Sequence, residues 1–333
     1  MSTPDLNARM AIVGANSPRG RELRDILESR GFSSAGIHLF DEDIAVGTLT
    51  RTGDEVAVIA AVDETSFDRM RLVFFAGRAE MAARHGEQAR QAGARVVDLS
   101  EDPGLETARA WVPALDSLAG RPENIDGRML RSPSAAAIVA ASMAAALDRF
   151  HPSRLAMVFL RPVSERGQEG IDELERQTVS LLSFRPVSED VFGVQVAFNL
   201  MDAYGTQGQP SLQAIRRAIA HDAENALGGR IPMPAIQVLQ APVFFSYAFT
   251  AYIELAEPVE SREIEAALAK AGLRVEAGSE SRPTNMSVTG RPEAIVGQLE
   301  RDLSAKAGYW LWGAADNARM VATNAVAIAE AIL

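Results

Sequence analysis

Residues 129–138 read MLRSPSAAAI: an apolar run, a Ser-Pro-Ser turn and the start of an alanine-rich helix. A turn that opens a helix favours a nucleophile, because backbone N–H groups and the helix dipole stabilise negative charge there. In this turn the places for such a group hold Ala135 and Ala136. Ser134 is a hydroxyl alternative, but no base stands near it in sequence, and Ser132 or Ser134 reads more simply as a helix N-cap. The chain contains no cysteine, which removes thiol nucleophiles, disulfides and thiolate metal sites together. Its four histidines, His38, His85, His151 and His221, are scattered, and none forms an HxH or HExxH pattern, so no metal site is expected.

A second chemical signal lies near the start. MAIVGA reads as a strand, and Gly14-Ala15-Asn16-Ser17-Pro18-Arg19-Gly20 follows as a strand-to-helix turn. Dinucleotide loops place glycines here so that the backbone can approach a pyrophosphate. The outer glycines are present, but the middle one is Ser17, and Pro18 beside it has no N–H to donate. Pro18 also suits the first position of a helix. Asp41 follows the second strand, where an acid can hold a ribose 2′-OH and repels a 2′-phosphate. Any cofactor is therefore expected to be NAD rather than NADP; a plain turn that binds nothing is the competing reading.

These residues need elements to position them. Strands at MAIVGA, GIHLF, EVAVIAA, LVFFAG and ARVVDLS alternate with helices at SPRGRELRDILESRG and AEMAARHGEQARQAG. Leu23, Ile26 and Leu27 share one helical face, and Gly31 closes that helix. The alternation predicts an α/β, Rossmann-like N-terminal domain with a parallel sheet. The second half is α+β. RLAMVFLRPV, VFGVQVAFNLM, AIQVLQAPVFFS, YAFTAYIEL and YWLWGAAD are expected strands, with helices at GQEGIDELERQTVSLLSF, PSLQAIRRAIAHDAENALG and SREIEAALAKAG. The apolar C-terminal segment NARMVATNAVAIAEAIL is expected to be a helix that packs back on the first domain. The expected division is residues 1–131 with 316–333, and 132–315.

Composition excludes several classes of function. The net charge is −11 and no basic stripe stands out, which argues against a nucleic-acid partner. No apolar run is long enough for a transmembrane helix. MSTPDLNARM lacks an apolar signal core, so a cytoplasmic location is expected.

Along nearly its whole length the chain resembles the aspartate-β-semialdehyde dehydrogenases. The matching stretches include AIVGANSPRGRELRDILESR, RPVSERGQEGIDELERQT, VAFN, APVFF, RDLS and, most specifically, DNARMVATNAVAIAE, close to a DNxRKGAAxNAVQIAE pattern. The resemblance implies a Rossmann-like domain plus an α+β domain of the glyceraldehyde-3-phosphate dehydrogenase-like type, with dimerisation through the second domain. It implies NADPH-dependent reduction of aspartyl-β-phosphate in amino-acid biosynthesis. It also implies cofactor contacts at Gly14, Asn16, Ser17, Pro18, Arg19, Gly20, Asp41, Gly77 and Asn317.

The catalytic positions implied by the resemblance are all substituted. The nucleophilic cysteine of an Asn-Pro-Asn-Cys-Thr-like turn falls on Ala135. The orienting glutamine falls on Arg161, with Glu165 in place of a glycine. The arginine and histidine of an Arg-x-Pro-Val-x-x-x-His segment fall on Gln240 and Tyr247. The phosphate-binding segment after VVDLS becomes the acidic EDPGLE, and Asp41 and Asp43 stand where a Ser-x-Arg would grip a 2′-phosphate. A Glu and a Lys of the helix near residue 216 are replaced in a region holding Arg216 and Arg217. Because no cysteine exists anywhere, no realignment restores the nucleophile. The chain in this respect resembles the Usg-like homologues that lack it. The expectation is a non-catalytic homologue with a binding or regulatory role, forming a homodimer. Two alternatives stand beside it: an NAD-dependent oxidoreductase working through Tyr247 and Arg161, and a structural partner of an authentic dehydrogenase paralogue.

Overall fold

The computed structural model describes residues 4–42, 47, 49–52, 55–100, 108–122, 125, 129–276 and 282–333. Asp43 and the acidic stretch 101–106 lie outside the described residues. The chain forms two compact units: Met1–Pro113 with Pro122–Ser134 and Val321–Leu333, and Ala114–Arg121 with Ala135–Met320.

In the first unit β1 (Met10–Val13), β2 (Ile37–Asp41), β5 (Ala60–Ala61), β6 (Leu72–Phe75), β7 (Arg95–Asp98), β8 (Arg109–Ala110) and β9 (Leu130–Arg131) form one sheet in the order β5-β2-β1-β6-β7-β9-β8. Every pairing in it is parallel. Each of β1 and β6 is buried at every residue, as strands covered on both faces must be. The expected strand EVAVIAA is split. Its first part, β4 (Glu55–Val58), pairs in a separate antiparallel hairpin with β3 (Leu49–Thr52), and only Ala60–Ala61 reaches the sheet edge. Helices α1 (Pro18–Ser29) and α2 (Ala79–Gln91) are amphipathic, and α1 buries the expected Leu23, Ile26 and Leu27. Chain order reverses at β1, which has β2 on one side and β6 on the other. Such a switch point opens a crevice at the strands' carboxyl ends, and the Gly14–Gly20 turn sits there.

The second unit is built on a mixed sheet. It contains α3 (Asp116–Ala119), α4 (Ala135–Leu147), β10 (Pro152–Arg161), α5 (Gly167–Leu182), α6 (Leu212–Ala226), β11 (Ala235–Gln240), β12 (Tyr247–Leu255), α7 (Ser261–Lys270), β13 (Arg274–Val275), β14 (Ile295–Val296), β15 (Glu300–Arg301) and β16 (Gly308–Ala315). The sheet order is β11-β10-β12-β16-β14-β13, with β15 beside β16. Helix α4 is buried along its whole length and packs against α6, α7 and β10. Its alanines allow that close packing on all sides.

One expected strand fails, for a visible reason, and another is shorter than expected. VFGVQVAFNLM forms turns, apart from a bridge between Met201 and Gln240. Its apolar alternation is strand-like, but side chains of α5 take its backbone groups. Glu173 accepts from the N–H groups of Val191 and Phe192, and Gln177 accepts from those of Val196 and Ala197. The Gln177 amide also donates to the carbonyls of Ser188 and Val194. AIQVLQAPVFFS likewise ends as a strand at Gln240, and the residues after it form a turn into β12.

Helix α8 (Asn317–Ile332) closes the chain. Within the first unit Asn324 donates to the Trp111 carbonyl and to Ser132 Oγ, and Ser132 Oγ donates to the Val321 carbonyl. Ser132 Oγ is thus engaged by α8, which leaves Ser134, next to the first residue of α4, as the N-cap candidate of the two.

Candidate functional site

Ala135, Arg161, Gln240 and Tyr247, on which the resemblance places catalytic groups, all fall in the second unit. Ala135 is the first residue of α4 and is fully buried. Arg161 ends β10 and Gln240 ends β11, and the two are register partners across a parallel pair. Tyr247 opens β12 opposite Ala315, the last residue of β16, and Asn317 begins α8 two residues later. Arg161, Gln240 and Tyr247 are each at most 1% exposed.

Among these residues the Gln240 amide is held by hydrogen bonds within the unit. Gln240 Nε2 donates to the Arg161 carbonyl at 2.8 Å and to the Ala241 carbonyl at 3.0 Å. Gln240 Oε1 accepts from Tyr204 Oη at 2.6 Å. Both amide hydrogens and the amide oxygen are therefore engaged, with nothing left to orient a substrate carboxylate. The Tyr247 ring meets Phe159 edge-on, with centroids 6.1 Å apart, as a core aromatic does. Its neighbour Ser246 has φ of 67°. Asn317 Oδ1 accepts from the Ser246 N–H at 3.0 Å, and Asn317 Nδ2 donates to Ser164 Oγ at 3.1 Å. Asn317 thereby ties together the β11–β12 turn, the turn before α5 and the start of α8. Asp316 caps α8: its Oδ1 accepts from Ala318 and Arg319, and its Oδ2 accepts from Gly290. Sequence reasoning missed Tyr204, Ser164 and Ser246 because their roles depend on distant partners. The Asp before the final helical pattern did carry an N-cap signal.

The expected cofactor residues of the first unit also come together. Ser17 is the N-cap of α1 and Pro18 its first residue. Gly14 and Gly77 follow neighbouring strands, and a Cβ on Gly14 would lie 2.3 Å from Gly77 N, so this approach requires glycine. Asp41 ends β2, and its carboxylate accepts from the Asn16 N–H and the Glu42 N–H, each at 2.9 Å. Glu42 takes both oxygens to arginines of the α2 region, Arg78 at 3.1 Å and Arg84 at 2.7 Å. Arg19 reaches the Leu99 carbonyl at 3.0 Å.

A dinucleotide needs backbone donors in this turn, and the N–H groups of Gly14, Ala15, Asn16, Ser17 and Gly20 already have acceptors. Gly14 and Ala15 donate to Phe40, Ser17 donates to Gly14, and Gly20 donates to Ser17 Oγ. The residues present do not fit a pyrophosphate. Among the described residues no group of three or more His, Cys, Asp or Glu side chains is placed to hold a metal. No described helix is long and apolar enough to cross a membrane.

Comparison with known proteins agrees with this architecture over the whole chain. Residues 9–127 match the family model of the semialdehyde dehydrogenase NAD binding domain, and residues 143–320 match that of the semialdehyde dehydrogenase dimerisation domain. A USG-1 protein homolog of Pseudomonas aeruginosa is 31% identical over 333 residues, covering 97% of each chain. An aspartate-semialdehyde dehydrogenase of Rickettsia bellii is 27% identical, again over 97% of each chain. The structure of a probable aspartate-semialdehyde dehydrogenase from Pseudomonas aeruginosa superimposes with a TM-score of 0.85 at 30% identity, covering 98% of each chain. With two family models spanning most of its length in the order of its two units, the chain belongs to the semialdehyde dehydrogenase family.

Proposed function

We propose that this chain is a non-catalytic member of its family, which keeps the fold and the pairing surface and acts by binding or regulation. The observation that carries the reading is Ala135, a buried methyl group at the helix start where the resemblance places the nucleophile, in a chain without any cysteine. A methyl group forms no thioacyl intermediate. The neighbouring substitutions support it. The Gln240 amide is engaged on all sides, and Tyr247 has the phenol of a core residue, a poor base at neutral pH.

The purified chain, given NADP, phosphate and aspartate semialdehyde, is expected to show no absorbance change above a protein-free control. Turnover abolished by Tyr247→Phe or Ser134→Ala would sink the reading and assign new catalytic residues. Ala135→Cys alone is expected to leave the chain inactive, because a thiol there still lacks its orienting, acid/base and carboxylate-binding partners.

The pairing surface is the outer face of the second unit's sheet. Trp310 and Trp312 project from β16 and are 45% and 36% exposed. Their register partners Tyr252 and Thr250 on β12, and in turn Ala156 and Val158 on β10, continue the same face. Aromatic side chains on an exposed sheet mark an interface, and a second copy of the chain is the occupant that suits the match to a dimerisation domain. A cysteine-bearing paralogue in that place would appear as a mixed dimer on co-expression.

A further inference from the structure

The geometry points to a self-liganded dinucleotide turn: the N-terminal unit fills its own nucleotide site with side chains and does not hold NAD or NADP. Three positions carry this. At the helix start Pro18 supplies no N–H, and the N–H of Gly20 donates to Ser17 Oγ at 2.9 Å. Only Arg19 stands between them, and a single amide does not cradle a pyrophosphate. Ser17 is held in this role from its other side, since its hydroxyl donates to the Ala76 carbonyl at 2.7 Å, at the end of β6. At the turn itself the Asn16 N–H is taken by the Asp41 carboxylate. Asp41 is thus an anion bound within the turn, bonded also to the Glu42 N–H and 8% exposed.

At the ribose end, Glu42 holds Arg78 and Arg84, one on each carboxylate oxygen. Arg78 caps α2 and Arg84 lies in its second turn, and both would otherwise attract an incoming phosphate. The bonds a dinucleotide would make are made instead to a hydroxyl and two carboxylates of the chain. Either dinucleotide must break them, and NADP must in addition place its 2′-phosphate beside Asp41 and Glu42. The family resemblance of the fold therefore does not extend to its cofactor.

Calorimetric titration of the whole native protein with NAD, and separately with NADP, tests this independently of turnover. No saturable heat is expected with either nucleotide into the millimolar range, and saturable binding of either would overturn the inference. Binding without turnover would leave the non-catalytic reading intact. The double variant Ser17→Gly with Pro18→Ala returns one backbone donor and releases another. It is expected to bind NAD at least about tenfold more tightly than the native chain. A folded double variant with no gain would overturn the assignment of these residues as the block. Should that variant not fold, amide exchange in the native protein decides. The Asn16 and Gly20 amides are expected to be protected without ligand and unchanged by NAD, and rapid exchange at either would refute self-ligation.

Discussion

Ser246 occupies a backbone conformation that suits glycine better than serine. Its φ is 67°, it is fully buried, and its hydroxyl has no hydrogen-bond partner among the described residues. Both the left-handed backbone and the unpaired hydroxyl oppose folding. The geometry persists because Asn317 holds the Ser246 N–H. Ser246→Gly is therefore expected to stabilise the chain by about 1 kcal/mol, after allowing for the greater freedom of glycine when unfolded. A urea midpoint at or below that of the native protein would contradict this. At this scale the sequence was informative about identities and silent about partners. The substitutions at Ala135, Arg161, Gln240 and Tyr247 were legible only through the resemblance to a family pattern, which supplies the residue expected at each place. The link from Gln240 to Tyr204 spans 36 positions, and local pattern does not encode it.

The elements that sequence periodicity identified are those whose backbone bonds are internal to helices or regular ladders. Helices α1, α2, α5, α6, α7 and α8 fall where apolar spacing placed them. The segment 191–201 was misread because alternating Val, Val and Phe mimic a strand, while its partners are two polar side chains of another element. Glu173 and Gln177 stand one helical turn apart on α5, both fully buried, and together satisfy N–H groups of Val191, Phe192, Val196 and Ala197. Gln177→Ala would leave four buried or part-buried backbone groups without this partner. It is expected to destabilise the protein by about 3 kcal/mol. It should also open the 186–197 segment to protease before the rest of the chain. A variant with native stability and native cleavage rate would show that the segment holds itself.

For the whole molecule, the second unit's sheet leaves one face without cover in the isolated chain, with Trp310 and Trp312 at its centre. The Trp310 ring packs against Tyr252 with centroids 4.9 Å apart and planes tilted by 51°, so the aromatic surface is preformed rather than assembled on contact. Sedimentation is expected to give a dimer, and Trp310→Glu to shift it to monomer, by placing an unpaired charge in the interface. A native chain that sediments as a monomer at micromolar concentration would remove the homodimer from the account. The α/β then α+β order was legible in the sequence, because after about residue 131 the regular alternation of short strands and helices gives way to longer strands mixed with helices. The outer face was not, because the exposure of Trp310 and Trp312 depends on sheet order.

The engaged amide of Gln240 also bears on what that position can accept. With an arginine there, the chain would lose the acceptor for Tyr204 Oη. It would also bury a guanidinium. Each orphaned group costs about 1–3 kcal/mol, while no activity returns until the nucleophile and the base are restored as well. Gln240→Arg is therefore expected to lower the stability of the chain, read as a lower urea midpoint.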